Sequence, residues 1–167
     1  MKLILVRHAA AIDRGIGLAD ERRYLTPEGR GYFRKTARTM REQGLAPDLI
    51  LTSPLLRAVQ TADILAERLK YAGELIVADD LEPGFALPGL ERLLAKHGDA
   101  RAVCLVGHEP DLSQLVVTLL GLPGSCRFRK GTALGLDVDP GNLRGGARFE
   151  WLAAGREFIA SRDQALK

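Results

Sequence analysis

Short apolar runs alternate with longer segments of helical period along this chain, and that alternation restricts its fold more than any other feature. Runs rich in Leu, Ile and Val occupy residues 2–6, 48–52, 75–78 and 102–106, and the segments between them repeat their apolar residues every three or four positions. Such spacing predicts a mainly parallel sheet covered by helices on both faces, a three-layer α/β/α sandwich. Two further strand candidates, 132–138 and 147–152, follow each other with no helical segment between them, so an antiparallel edge strand is expected. With 167 residues, no internal repeat and no Pro/Gly/Ser linker, residues 1–167 read as a single domain.

The helix boundaries are marked by their own chemistry. Thr26 suits an N-cap, Pro27 the first helical position and Glu28 the positive end of the dipole, with Phe33, Ala37 and Met40 as the buried face and Gly44 as the left-handed stop. A second helix is expected to start at Ser53-Pro54, burying Leu55, Val59, Ala62, Leu65 or Ala66, and Leu69. A third spans roughly 88–97. A fourth starts near Pro110-Asp111 and faces Leu112, Leu115, Val116 and Leu119 inward.

No apolar run approaches the roughly 18 to 20 residues of a membrane span, and the N-terminal run is too short for a signal peptide, so no membrane role and a cytoplasmic location are expected. Two cysteines, Cys104 and Cys126, make no disulfide framework and no metal knuckle. The net charge of +3 is unevenly placed. Residues 1–47 carry ten Lys/Arg against five Asp/Glu, and the remainder carries fourteen against sixteen. A one-sided positive field favours an anionic partner. Arg30, Arg34, Arg38 and Arg41 share one face of the first helix and either dock such a partner or form a solvated face. No motif or aromatic stacking run beside them indicates nucleic acid.

In a parallel sheet, ligands collect beyond the carboxyl ends of the strands. Here those ends carry Arg7 and His8, then Thr52, Ser53 and, one turn into a helix, Arg57, then Gly107 and His108. Guanidinium groups grip phosphoryl oxygens in pairs, and Ser53 with Arg57 lies at an expected helix N-terminus that favours anions. The combination is a phosphate pocket containing two imidazoles. A metal site built from His8, His108 and Asp13 or Asp80 is disfavoured, because arginines are poor neighbours for a bound cation. His97, beside Lys96 at a helix C-terminus, is read as a dipole partner with no catalytic role.

Four motifs in order, Leu-Val-Arg-His-Ala at 5–9, Leu-Thr-Pro-Glu-Gly at 25–29, Ser-Pro-Leu-Leu-Arg-Ala-Val-Gln-Thr-Ala at 53–62 and Val-Gly-His-Glu-Pro at 106–110, resemble the histidine phosphatase superfamily, the phosphoglycerate mutase-like fold. The short length resembles its SixA-type phosphohistidine phosphatases. The resemblance implies that His8 is a nucleophile forming a phosphohistidine enzyme, that Arg7, Arg57 and His108 bind the phosphoryl group, and that no metal or other cofactor is required. It also implies an acid after the third strand as proton donor. Leu81 and Pro83 favour Asp80 for that position; Glu82 is a rival, and Asp79 is the third acid of the segment.

An alkoxide leaving group needs a proton as its bond breaks, whereas the P–N bond of phosphohistidine is labile. An ill-defined acid and little material for a lid between the third and fourth strands therefore favour a phosphohistidine-bearing protein as partner. The alternatives are a small phosphorylated substrate, such as a sugar phosphate or nucleotide, and a non-catalytic phospho-ligand module. Retention of both His8 and His108 argues against the last, since arginines alone suffice for binding.

Overall fold

The structure, a computed structural model, describes residues 1–15 and 17–167. Strand β1 (Lys2–Arg7) buries Leu3 and Leu5 on one face and Ile4 and Val6 on the other. A strand with no polar face has to lie inside a sheet with helices above and below. The sheet built around it also contains β2 (Leu49–Thr52), β3 (Leu75–Val77), β4 (Ala102–Gly107), β5 (Thr132–Asp137), β6 (Arg148–Ala154) and β7 (Glu157–Ile159). Their order is β3-β2-β4-β1-β5-β6-β7. The first four are parallel, in the register Leu3 to Val103 and Ile50 to Cys104.

Among the described residues five α-helices connect or flank these strands: α1 (Pro27–Glu42), α2 (Leu56–Leu69), α3 (Leu87–Lys96), α4 (Asp111–Leu120) and the one-turn α5 (Arg162–Ala165). Phe33 and Met40 of α1 and Ala58 and Leu65 of α2 pack with Ile4, Val6, Ile50 and Val106 on one face. Leu90 and Leu93 of α3 and Leu112, Leu115 and Val116 of α4 pack with Leu3, Leu5, Leu51 and Leu105 on the other. The three expected layers are present. No helix among the described residues is long and apolar enough to cross a membrane.

Thr26 caps α1 as its sequence requires, its hydroxyl accepting from the Gly29 N–H at 3.0 Å. Gly44, at φ +69°, ends that helix in the left-handed region where a Cβ would be strained.

Three expectations need correction. The antiparallel part is three strands deep, because β5 pairs with the central β1, and β6 and β7 extend the sheet from it. Strand β7 has only three residues and no apolar alternation to announce it. Helix α2 begins at Leu56, with Leu55 in the cap position, and the Ser53 hydroxyl caps nothing in it. Its buried face is wider than the expected one: Leu55, Ala62 and Leu65 are buried as expected, Arg57, Ala58, Thr61 and Ile64 also turn inward, and Val59 and Leu69 are half-buried.

Candidate active site

Three strand ends converge because β2, β4 and β1 are neighbours in the sheet. Arg7 and Gly107 are register partners at the ends of β1 and β4, and the His8 N–H donates to the Gly107 carbonyl at 3.1 Å. The Ser53 N–H donates to the Val106 carbonyl at 3.0 Å, which fixes the end of β2 against β4. His8 and His108 are thereby brought side by side, with ring centroids 5.2 Å apart and ring planes tilted by 54°. Arg57 enters from the first turn of α2. Four of the residues singled out in the sequence, Arg7, His8, Arg57 and His108, meet at this point.

Each side chain is held from behind. His8 Nδ1 lies 2.7 Å from the Ala9 carbonyl oxygen. A carbonyl only accepts, so Nδ1 carries the proton and Nε2 keeps its lone pair. The adjoining Ala9 N–H donates to Thr61 Oγ1 at 3.1 Å, and that hydroxyl donates to the Arg57 carbonyl at 2.7 Å. Ser53 Oγ sits 2.7 Å from His108 Nε2 and accepts from the Leu55 N–H at 3.3 Å. Among the described residues the Ser53 hydroxyl proton has no other acceptor, so it is directed to His108 Nε2, which leaves the proton of a neutral His108 on Nδ1. Ser53 is fully buried and so acts on the site through His108.

The arginines are tied at their terminal nitrogens. Arg7 Nη1 donates to the Phe128 carbonyl at 2.7 Å, and Arg57 Nη1 donates to the Asp20 carbonyl at 2.9 Å. Three buried side-chain nitrogens among the described residues have no partner: Arg7 Nε, Arg57 Nε and His108 Nδ1. Unpaired buried donors are rare, and three in one cluster are what an anion would satisfy. Among the described residues no three His, Cys, Asp or Glu side chains are grouped as a metal ligand set.

Burial pushes the His8 imidazole down to about 3, assisted by His108, Arg57 and Arg7 and opposed by the Ala9 hydrogen bond. It pushes His108 down to about 4, with Arg57 and Arg7 acting in the same direction against Asp20. Both rings are therefore neutral at cellular pH, as a nitrogen nucleophile requires. In the unfolded chain both return to about 6.5 and bind protons that the folded state refuses. Stability is fully present above that value and is lost as pH falls toward the folded values. Urea unfolding is expected to show a loss of about 2 kcal/mol per histidine between pH 7 and pH 5. The slope should be visibly shallower in His108→Ala, and equal slopes in the two proteins would contradict it.

The segment after β3 forms a short 3-10 turn, Asp79–Leu81, in which the Asp80 carboxylate is ion-paired with Arg92 of α3. Asp79 and Glu82 are exposed. Among the described residues none of these three acids is hydrogen-bonded or ion-paired to the histidines or to Arg7 and Arg57. His97 ends α3, away from the cluster. Arg127, Arg129 and Lys130 are exposed on either side of the buried Phe128 that anchors Arg7, and Arg38 of the first-helix stripe pairs with Glu42.

Sequence reasoning missed Thr61, Asp20, Arg23 and Glu109. Burial lowers the Arg7 pKa, and the charge of Glu109, which follows His108, opposes that lowering. Thr61, one helical turn after Arg57, and Glu109, next to His108, lie inside the quoted motifs; Asp20 and Arg23 had no such signal. Thr61→Val is expected to keep the shape but leave the Ala9 N–H unsatisfied, costing about 1–3 kcal/mol in denaturant unfolding, while Thr61→Ser should retain most of the stability.

Comparison with known proteins agrees with this geometry. The sequence profile of the histidine phosphatase superfamily (branch 1) matches residues 3–82. An uncharacterized protein of a Picosynechococcus species is 43% identical over 122 residues, 68% of this chain and 70% of that protein. The mitochondrial serine/threonine-protein phosphatase Pgam5 of Drosophila ananassae is 36% identical over 75 residues, 45% of this chain but only 25% of its own length. Among solved structures, the protein histidine phosphatase SixA complexed with tungstate superposes with a TM-score of 0.81 at 23% identity, covering 93% of this chain and 97% of that one. A mycobacterial glucosyl-3-phosphoglycerate phosphatase in complex with VO3 gives 0.66 at 21% identity, covering 89% and 97%. These two likenesses speak for the phosphoglycerate mutase-like fold. The profile match across the strand that carries Arg7 and His8, together with the cyanobacterial relative, places the chain in the histidine phosphatase superfamily, branch 1.

Proposed function

We propose that the protein is a metal-independent phosphatase that dephosphorylates phosphohistidine on another protein, in the manner of SixA, through a phosphorylated His8. The observation that carries the reading is the proton placement on His8. With Nδ1–H donated to the Ala9 carbonyl, the Nε2 lone pair stands beside two arginines whose Nε donors are unpartnered. In the first step Nε2 attacks phosphorus, the P–N bond to the substrate imidazole breaks, and the departing ring keeps the electron pair and takes up a proton from solvent. In the second, water attacks phosphorus, the bond to His8 breaks, and inorganic phosphate leaves. Arg7, Arg57 and the His108 Nδ1–H stabilise the equatorial oxygens as phosphorus changes geometry.

The choice of a phosphoramidate substrate follows from the acids. Asp80 is the acid that the resemblance favours as proton donor, yet its carboxylate is engaged by Arg92. A substrate whose leaving group needs little help from an acid suits such a site better than a sugar phosphate does. A small-molecule phosphomonoesterase is the second reading, favoured by the fold shared with the glucosyl-3-phosphoglycerate phosphatase.

The test mixes the protein, with chelator present, with a phosphohistidine-bearing phosphotransfer protein, and follows phosphate release alongside an acid-labile adduct mapped by mass spectrometry. Release with the adduct on His8 is expected. Turnover of a phosphomonoester panel with none on the phosphoprotein would select the second reading, and neither activity would overturn both.

A further inference from the structure

Arg57 is gripped at one end only. Its Nη1 donates to the Asp20 carbonyl at 2.9 Å and its Nη2 to Asp20 Oδ2 at 3.2 Å, so one residue takes both terminal nitrogens through its backbone and its side chain together. Arg57 Nε, buried, has no partner. A guanidinium offers either its two terminal nitrogens or its Nε edge for bidentate contact. Asp20 occupies the first and leaves the second. Arg7 repeats the pattern, tied through Nη1 to the Phe128 carbonyl with its own Nε unpartnered.

Asp20 is itself braced. Arg23 Nη1 donates to Asp20 Oδ1 at 2.9 Å, and Arg23 Nε donates to the Ile12 carbonyl at 2.8 Å, which ties the polar loop back to the segment that follows His8. Arg14 Nε lies 3.2 Å from the same Oδ1. The Arg23 contact, with Arg57 and Arg14 adding to it, holds the Asp20 carboxyl below its ordinary range, so the brace stays ionised through neutral pH.

We infer that Asp20 is a positioning residue that fixes the Arg57 guanidinium with its Nε edge turned to the phosphoryl group, and so sets the affinity of the pocket for phosphoryl anions. The inference rests on the phosphoryl-binding role given to Arg57 above. It makes Asp20 part of the machinery although the residue touches neither phosphorus nor the nucleophile. An arginine without that brace would keep its charge and lose its orientation, and a bidentate contact depends on orientation.

The experiment measures orthovanadate binding by calorimetry, kcat and KM on a phosphohistidine protein, and thermal midpoints, for wild type, Asp20→Ala and Asp20→Asn. Asp20→Ala is expected to weaken orthovanadate at least tenfold and to raise KM more than it lowers kcat, with a nearly unchanged midpoint, because the backbone carbonyl contact to Arg57 survives. Asp20→Asn, which keeps a side-chain oxygen, should fall between the two. Unchanged or tighter orthovanadate binding in Asp20→Ala would overturn the inference, the tighter case making Asp20 a competitor of the anion. Losses that only track the folded fraction would overturn it as well, since they would mark a structural role. Wild-type protein that binds orthovanadate but turns over no phosphoprotein would defeat the functional reading and leave this inference standing on the anion affinities.

Discussion

His8→Ala is expected to abolish turnover, by a factor on the order of 1000 or more, while leaving the fold and the anion pocket in place. No other group can take over the attack. The His108 Nε2 is engaged by Ser53, and its Nδ1 carries a proton in the neutral ring, so neither of its nitrogens has a free lone pair. The structural consequence is modest. His8 donates one side-chain hydrogen bond, to the Ala9 carbonyl, whose loss costs about 1 kcal/mol, partly offset because a desolvated imidazole is removed. The variant should therefore unfold near the wild-type midpoint at pH 7, and below pH 6 it should fare relatively better, since one ring that resists protonation is gone. Orthovanadate should still bind, because Arg7, Arg57 and His108 remain. Residual phosphate release above one per cent of wild type, or an adduct that persists and maps to His108, would refute the assignment of the nucleophile.

The distinction between what was legible in the sequence and what was not follows the range of the interactions. The two-sided burial of Leu3 to Val6, the Thr26-Pro27 start of α1 and the inward row Leu112, Leu115, Val116 and Leu119 are local patterns, and each is found where the pattern puts it. Arg7, His8, Arg57 and His108 could be grouped because parallel strands deliver their carboxyl ends to one edge, a consequence of topology alone. Asp20 and Arg23 lie in a polar loop with no period, and only the tertiary contact with Arg57 distinguishes them from other surface charges. Ser53 followed by Pro54 reads as a helix start. The requirement of His108 for a partner took the hydroxyl instead, and the helix begins two residues later than expected. The extra inward positions on α2 have the same origin: apolar periodicity finds Ala62 and Leu65 but says nothing of Arg57 and Thr61, which the site needs turned inward.

The glycine of the Leu-Thr-Pro-Glu-Gly motif has a physical task that makes Gly29→Ala an informative change. Intrinsic helix propensity favours alanine over glycine, by up to about 1 kcal/mol in a helix interior and less in the first turn where Gly29 lies, so an isolated α1 would not lose by it. In the folded protein a Cβ at Gly29 would lie 2.2 Å from the Ala10 carbonyl oxygen and 3.0 Å from Ala10 C and N. Those are backbone atoms, unable to swing aside as a side chain could. The same oxygen accepts from the Thr26 N–H at 3.0 Å, so the first turn of α1 is docked onto the segment that leaves β1. Either the helix start or residues 9–11 must move. Residues 9–11 begin with Ala9, whose carbonyl fixes the His8 tautomer and whose N–H is held by Thr61. We expect Gly29→Ala to destabilise by about 1–3 kcal/mol, the range for overpacking, and to lower kcat at least tenfold by disturbing the nucleophile. Gly31→Ala is the control, in the same helix with nothing within 4 Å of its Cβ, and it should stabilise by up to about 1 kcal/mol and leave kcat unchanged. Equal unfolding midpoints and equal rates for the two variants would mean that the contact between α1 and Ala10 does not set the geometry of His8.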